Sequence, residues 1–293
     1  PPSSDAGTYF YGSAFLPAAY QGTALGKTTG RGRSDDSVLA QFSNLRPSGA
    51  KSAIQRMELD WLQSQNRQHL ERASYHPPLE ARIESFELAF RMQTAVPELS
   101  DIRDESQATR KLYALDDEDE HTRTYGLECL LARRMVERGV RFVEILGPKV
   151  HGINRWDAHK DLVKNHGTNA HIVDQPIAAL LRDLKSRGLL ESTIVVWAGE
   201  FGRTPKVNGK AGRDHWPRVS PAILAGGGMN VGQVIGATDK QAGEATARPV
   251  HYQDVMATLY QNLGLPPHET TITDTTGRPQ YLCDTGQPIR ELV

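Results

Sequence analysis

Two short stretches of this chain place a carboxylate beside an imidazole. They are Asp157-Ala158-His159 and Asp214-His215. Of the ten histidines, five (His151, His159, His166, His171 and His215) fall between positions 151 and 215, and the clustering directs attention to that stretch. Neutral imidazole nitrogen and carboxylate oxygen together suit zinc and similar divalent ions, whereas carboxylates alone suit calcium or magnesium. Asp157, His159, Asp214 and His215 are therefore candidate metal ligands. Glu200 directly follows an apolar run, where a charged group meets solvent or ligand. Arg203 and Arg213 are the residues suited to hold an anion bidentately. The competing reading of each pair is a hydrogen-bonded loop histidine beside an aspartate that caps or turns the chain. For the arginines it is an ion pair with Glu200 or Asp214. His166 lies close to the cluster in sequence, and His171 reads as a surface residue of a helix.

These residues need a frame. Residues 140–146 (VRFVEIL), 193–198 (TIVVWA) and 221–225 (PAILA) are short, β-branched, apolar runs that read as strands. Residues 169–187 carry Ile177, Leu180, Leu181 and Leu184 on one helical face, with Gly188 closing the helix. Residues 252–263 repeat the pattern with Val255, Leu259 and Leu263 before Gly264. Strand, helix, strand, then strand and helix predicts an α/β layered fold with a largely parallel sheet. In such sheets ligands bind beyond the carboxyl ends of the strands, which is where the Asp/His stretches fall.

Upstream, residues 51–138 read as mostly helical. One helix carries Ile54, Met57, Trp61 and Leu62. A second carries Leu79, Ile83, Phe86 and Phe90 before Pro97. A third carries Leu127, Leu130, Leu131 and Met135 before Gly139. Residues 1–50 are rich in Gly, Ser, Pro and Thr and read as irregular. The expected organisation is an irregular and helical segment, 1–139, packing on an α/β core, 140–293, as one domain together.

The balance of charge narrows the function. Lys and Arg number 34 against 35 Asp and Glu, which gives a net charge of −1 and argues against a nucleic-acid partner held by a basic field. No apolar run approaches the length of a membrane span. Two cysteines, Cys129 and Cys283, make neither a disulfide framework nor a cysteine-rich zinc module. Gly22-x-x-x-Gly26-Lys27-Thr28 is one residue short of a phosphate loop and follows no strand pattern. Gly226 to Gly232 lacks dinucleotide-fold spacing. No His-Glu-x-x-His, Cys-x-x-Cys or Gly-x-Ser-x-Gly occurs.

Several motifs together resemble a known family. Trp156-Asp157-Ala158-His159, Gly199-Glu200-Phe201-Gly202-Arg203-Thr204-Pro205 and Gly212-Arg213-Asp214-His215 are three of them. Phe15-Leu16-Pro17-Ala18-Ala19-Tyr20-Gln21-Gly22-Thr23, Glu87-Leu88-Ala89-Phe90-Arg91-Met92-Gln93 and Arg138-Gly139-Val140-Arg141-Phe142-Val143 are the others. They resemble the bacterial domain-of-unknown-function family 1501, over essentially the whole chain. That family looks like a branch of the alkaline phosphatase and sulfatase superfamily.

The resemblance implies an alkaline phosphatase-like layered fold with a metal site of Asp and His at strand ends. It assigns Asp157, His159, Glu200, Asp214 and His215 to the metal, and Arg203 and Arg213 to the substrate anion. It implies zinc first, with calcium or manganese as alternatives, and a periplasmic or secreted protein that hydrolyses small-molecule or glycan esters of sulfate or phosphate. Two positions depart from the superfamily pattern. Glu200-Phe201 stands where relatives carry Asp-His or Asp-Asn, and Asp157 and His159 are more closely spaced than in the phosphatases. The first strands of the family and its Ser, Thr or Cys nucleophile are expected upstream of Pro1. A non-catalytic member that binds surface glycans or partners is the other function these residues allow.

Overall fold

The computed structural model describes residues 22–23, 52–72, 83, 86–87, 90, 96, 98–147, 150–274 and 276–293. The irregular reading of most of residues 1–50, together with Leu79 and Pro97, lies outside the described residues. The chain divides into two compact units, Pro1–Asp104 and Glu105–Val293.

In the first unit, helix α1 (Ser52–Arg72) carries the expected Ile54, Met57, Trp61 and Leu62. Ile54, Met57 and Trp61 are more than half exposed. What fastens α1 is polar. Arg56 reaches both carboxylate oxygens of Glu87 at 3.1 Å and lies over the Phe90 ring, and Gln63 donates to the Ile83 carbonyl at 2.8 Å.

The second unit holds every candidate site residue. It opens with α2 (Gln107–Leu112), α3 (Glu120–Glu137) and α4 (Leu162–Ser186). Asp119 caps α3 by accepting from the His121 amide at 2.7 Å. The helix ends as its sequence predicts, with Gly139 in the left-handed region at φ +80°, which a residue with a Cβ rarely adopts. The apolar stripe Leu127, Leu130 and Leu131 of α3 and the stripe Ile172, Val173, Leu180 and Leu184 of α4 are both buried. A buried ion lattice joins the same two helices. Arg133 reaches Asp183 at 3.0 Å and Glu105 at 2.7 Å, and Tyr113 donates its hydroxyl to Asp183 at 3.0 Å.

Beyond α4 come β1 (Ile194–Ala198), β2 (Gly202–Arg203), β3 (His215–Trp216), β4 (Ala222–Gly226), β5 (Ala237–Thr238) and β6 (Ala245–Ala247). Helix α5 (Tyr252–Asn262), β7 (Thr271–Thr273) and β8 (Pro279–Tyr281) complete the order. The result is a mixed fold of helices with small antiparallel sheets. The largely parallel sheet predicted from the sequence is corrected here. β1 and β4 pair antiparallel, from Ile194 opposite Gly226 to Ala198 opposite Ala222. A parallel pair needs a crossover of a dozen or more residues, usually a helix. The connection 199–221 holds only the β2–β3 ladder and loops. Residues 140–146 form no ladder among the described residues, because a strand pattern becomes a strand only where a partner meets its backbone groups. Met229, Ile289 and Leu292 make a second core that packs on Ile194 and Leu224 of the β1–β4 ladder and on Val255 of α5.

Candidate metal centre

Three ligand-type atoms meet on the surface of the second unit. Asp157 Oδ1 lies 3.1 Å from His159 Nε2 and 3.0 Å from His215 Nε2, and the two Nε2 atoms are 3.1 Å apart. Metal bonds of about 2.0–2.2 Å to nitrogen and oxygen place neighbouring ligand atoms roughly 3 Å apart, so this triangle fits a divalent ion. About half of each of these three side chains is exposed, which leaves room for further ligands. Two imidazoles with one carboxylate suit zinc and other first-row divalent ions. Calcium, which takes oxygen ligands, fits them less well.

Asp214 stands behind the triangle. Its Oδ1 is 2.9 Å from His159 Nδ1. An ionised carboxylate only accepts, so Nδ1 carries a proton toward Asp214, and Nε2 is the nitrogen that would face an ion held between Asp157 and His215. Were His159 a metal ligand, Asp214 would be the outer carboxylate that orients it. Hydrogen bonding from His159, aided by Asn208, holds the Asp214 carboxyl below its ordinary range. Asp157 is also held low. Burial pushes its carboxyl up, but the His215 hydrogen bond and the Arg203 guanidinium more than offset that.

Arg203 bridges the two acids beside the triangle. It bonds Asp157 Oδ1 through Nη1 and Glu200 Oε1 through Nη2 at 2.9 Å. Glu200 is thus placed on Arg203. Arg213 turns Nη1 to the backbone carbonyls of Thr204 and Pro205. His166 meets Trp156 edge to face at 5.5 Å, and His151 and His171 are exposed.

The loop bearing Asp157 and His159 is fixed from two sides. From α4, buried Asn165 accepts from the Asn154 amide at 2.7 Å and donates to the carbonyls of Lys160 and Asp161. One turn on, buried Asn169 donates to the carbonyls of Asn154 and Arg155. From the other side comes the segment 208–213. Asn208 donates to the His159 carbonyl at 3.0 Å and to Asp214 at 3.2 Å. The Arg213 amide donates to the Ala158 carbonyl, and Lys210 and Ala211 accept from Asp161 and Leu162. That pair of bonds holds Asp161 at φ +48°, an uncommon value for a residue other than glycine. Gly212 permits the approach, since a Cβ there would lie 2.0 Å from the His159 carbonyl carbon.

His215 enters on the short β2–β3 ladder, opposite Arg203. The Phe201 ring packs on its imidazole with centroids 4.5 Å apart, and the Arg203 guanidinium lies over that ring at 5.3 Å. Tyr252 of α5 donates to the Gly199 carbonyl at 2.6 Å and holds the start of the loop. Sequence reasoning missed the roles of Asn165, Asn169, Asn208 and Phe201. For the first two a signal existed. Asn165 and Asn169 fall on the same helical stripe as Ile172, Val173 and Pro176, where a polar residue must find partners.

The fold and the site thus describe a mixed helix-and-strand protein with a loop-borne Asp/His cluster. The family model described as "Protein of unknown function (DUF1501)" matches residues 2–293, and the chain belongs to that family. No curated protein matches the chain, and no solved structure does. No helix among the described residues is long and apolar enough to cross a membrane.

Proposed function

We propose that this chain belongs to an exported, sulfatase-like, metal-dependent hydrolase of sulfate or phosphate esters, in a branch of the alkaline phosphatase and sulfatase superfamily. The observation that carries the reading is the triangle of Asp157, His159 and His215, with Asp214 fixing the tautomer of His159. Asp157, His159 and His215 would hold the ion, zinc first. Bound there, a divalent ion supplies Lewis acidity toward a sulfuryl or phosphoryl oxygen. Asp214 keeps the His159 proton on Nδ1. Arg203 offsets the charge of Asp157 and Glu200 and lies where an ester anion would approach. Phe201 closes one side of His215 against water.

A second reading has one observation of its own. Arg203 bonds the same Asp157 oxygen that an ion would use. A member with the guanidinium in the cation's place would bind glycans or surface partners without turnover.

Elemental analysis separates the two. Near-stoichiometric zinc or manganese in the purified protein, lost in a His159→Ala, His215→Ala double variant, supports the hydrolase. Turnover of p-nitrophenyl phosphate or sulfate that follows the metal content would complete the case. A folded protein that takes up no metal after dialysis against zinc and manganese sinks it in favour of the binding protein.

A further inference from the structure

We infer that the cleft between α3, α4 and β1 is a binding site for a small organic ammonium ion. It encloses about 370 Å³, within the range of small-ligand pockets. Asp117, Thr122, Trp156, His171, Asp174 and Trp197 line it. The inference does not rest on the metal site.

Three features select the ligand. The first is an aromatic corner. Trp156 and Trp197 meet edge to face, with ring centroids 6.4 Å apart and planes inclined by 63°, and both line the cleft. His166, edge to face with Trp156 at 5.5 Å, supports that indole from another side. Trp197 belongs to a strand yet is 42% exposed, so part of its ring remains available. An indole face met at an angle by a second ring suits a rounded cation, which the negative face attracts. A single flat ring would suit a sugar better.

The second feature is charge. Asp117 and Asp174 both line the cleft, and no lysine or arginine among the described residues does. Asp117 already accepts from the Asp119 amide at 2.8 Å. Asp174 has no hydrogen-bond or ion-pair partner in the structure, and its charge is available to a ligand. Two carboxylates exclude an anion and favour a cation. The third feature is an unmet hydroxyl. Thr122 is 2% exposed, and its Oγ1 has no hydrogen-bond partner. A buried hydroxyl is normally paired. A ligand bearing a hydroxyl or an N–H would complete it.

Choline is the probe, because it combines a quaternary ammonium with a hydroxyl. Its neutral carbon isostere, in which carbon replaces the nitrogen, isolates the charge. Both are titrated into the whole protein at constant ionic strength and followed by ligand-observed NMR, with glucose as a third ligand. Saturable choline binding with a Kd of about 10 mM or tighter is expected. The isostere and the variants Asp174→Asn and Trp197→Leu should each bind about fivefold more weakly or worse. Asp174→Asn is isosteric on an exposed turn of α4, so its melting curve should match the wild type, and it carries the test by itself. No saturable choline signal overturns the inference. So does equal binding of choline and its isostere, or equal choline binding by wild type and Asp174→Asn. Glucose saturating below choline overturns it in favour of a glycan cleft.

Discussion

His159 Nδ1 and Asp214 Oδ1 lie 2.9 Å apart across 55 residues of chain. That contact puts a proton on Nδ1 and makes Nε2 the nitrogen that would face an ion. In the proposed centre Asp214 would act on an ion through His159, where its sequence position suggested a direct ligand. An asparagine in its place can present either an oxygen or an amide to Nδ1 and carries no charge. Asp214→Asn should weaken zinc binding by about 10–100-fold while leaving the fold intact. Competition with a fluorescent chelator measures the first, and far-UV circular dichroism checks the second. Unchanged zinc affinity would remove Asp214 from the site.

Gly212 tests the clamp on the same histidine. A methyl group there cannot be accommodated without moving the backbone of His159 or of the 208–213 segment. Gly212→Ala should cost about 1–3 kcal/mol in stability. It should also lower bound zinc, since His159 would leave the triangle. Thermal melting and zinc stoichiometry on the same sample test both effects. A variant with full zinc and wild-type melting would show that the two segments can separate freely.

Asn165 makes a different prediction, one of stability without charge. Its side-chain amide satisfies the Asn154 N–H and two carbonyls in a site that is 3% exposed. Asn165→Ala removes this partner from the Asn154 N–H and the Lys160 carbonyl, while the Asp161 carbonyl keeps the Asn165 amide, at a total of about 1–3 kcal/mol for a buried group left unpaired. At roughly 2–4 °C per kcal/mol for a unit of this size, the melting temperature should fall by about 4–10 °C. Differential scanning fluorimetry would detect the change, and a shift below about 2 °C would contradict the assignment.

Acid sensitivity should appear at the far end of the second unit. Glu291 receives two hydrogen bonds of 2.7 Å from Arg248, and that guanidinium pulls its carboxyl down to about 2. The folded value lies below the unfolded one, near 4.3 for glutamate. The pair's contribution is therefore full above the unfolded value and fades as pH falls from there through the folded value. Glu291→Gln should be less stable than wild type at about pH 6, and the gap should close as pH falls toward about 2. Urea unfolding of both proteins across that range gives the comparison, and a gap independent of pH would count against it.

Much of the frame was legible in the sequence, and the failures have identifiable causes. The helices over Leu127–Met135, Ile177–Leu184 and Val255–Leu259 announced themselves by apolar spacing, and Gly139, Gly188 and Gly264 each follow one. The runs TIVVWA and PAILA are strands as read. Their relative direction was misjudged because a strand's alternation says nothing of its partner's polarity. The connection does say something, since 199–221 has no helical period and so could not be the usual helical crossover. Asp157, His159 and His215 were legible because Asp/His stretches in loops have few structural duties. Asp214 was legible as a member of the cluster, but its contact with His159 Nδ1 was not, because it joins residues far apart in the chain. Phe201 read as a defect in a motif, and only its packing on His215 gives it a place.

The pairing of Ala198 with Ala222 has a consequence for separability. Antiparallel partners sit about 4.5–5.5 Å apart at Cα, so the peptide between them leaves and returns at nearly one point. Excised, residues 198–222 could be closed head to tail with little or no spacer. That ring would carry His215, Arg203 and the Asn208 clamp, but neither Asp157 nor His159. The candidate centre is thus a joint between two pieces of chain, with His215 and Arg203 on the ring and Asp157 and His159 on the loop before α4 that the ring's Asn208 and Gly212 hold in place.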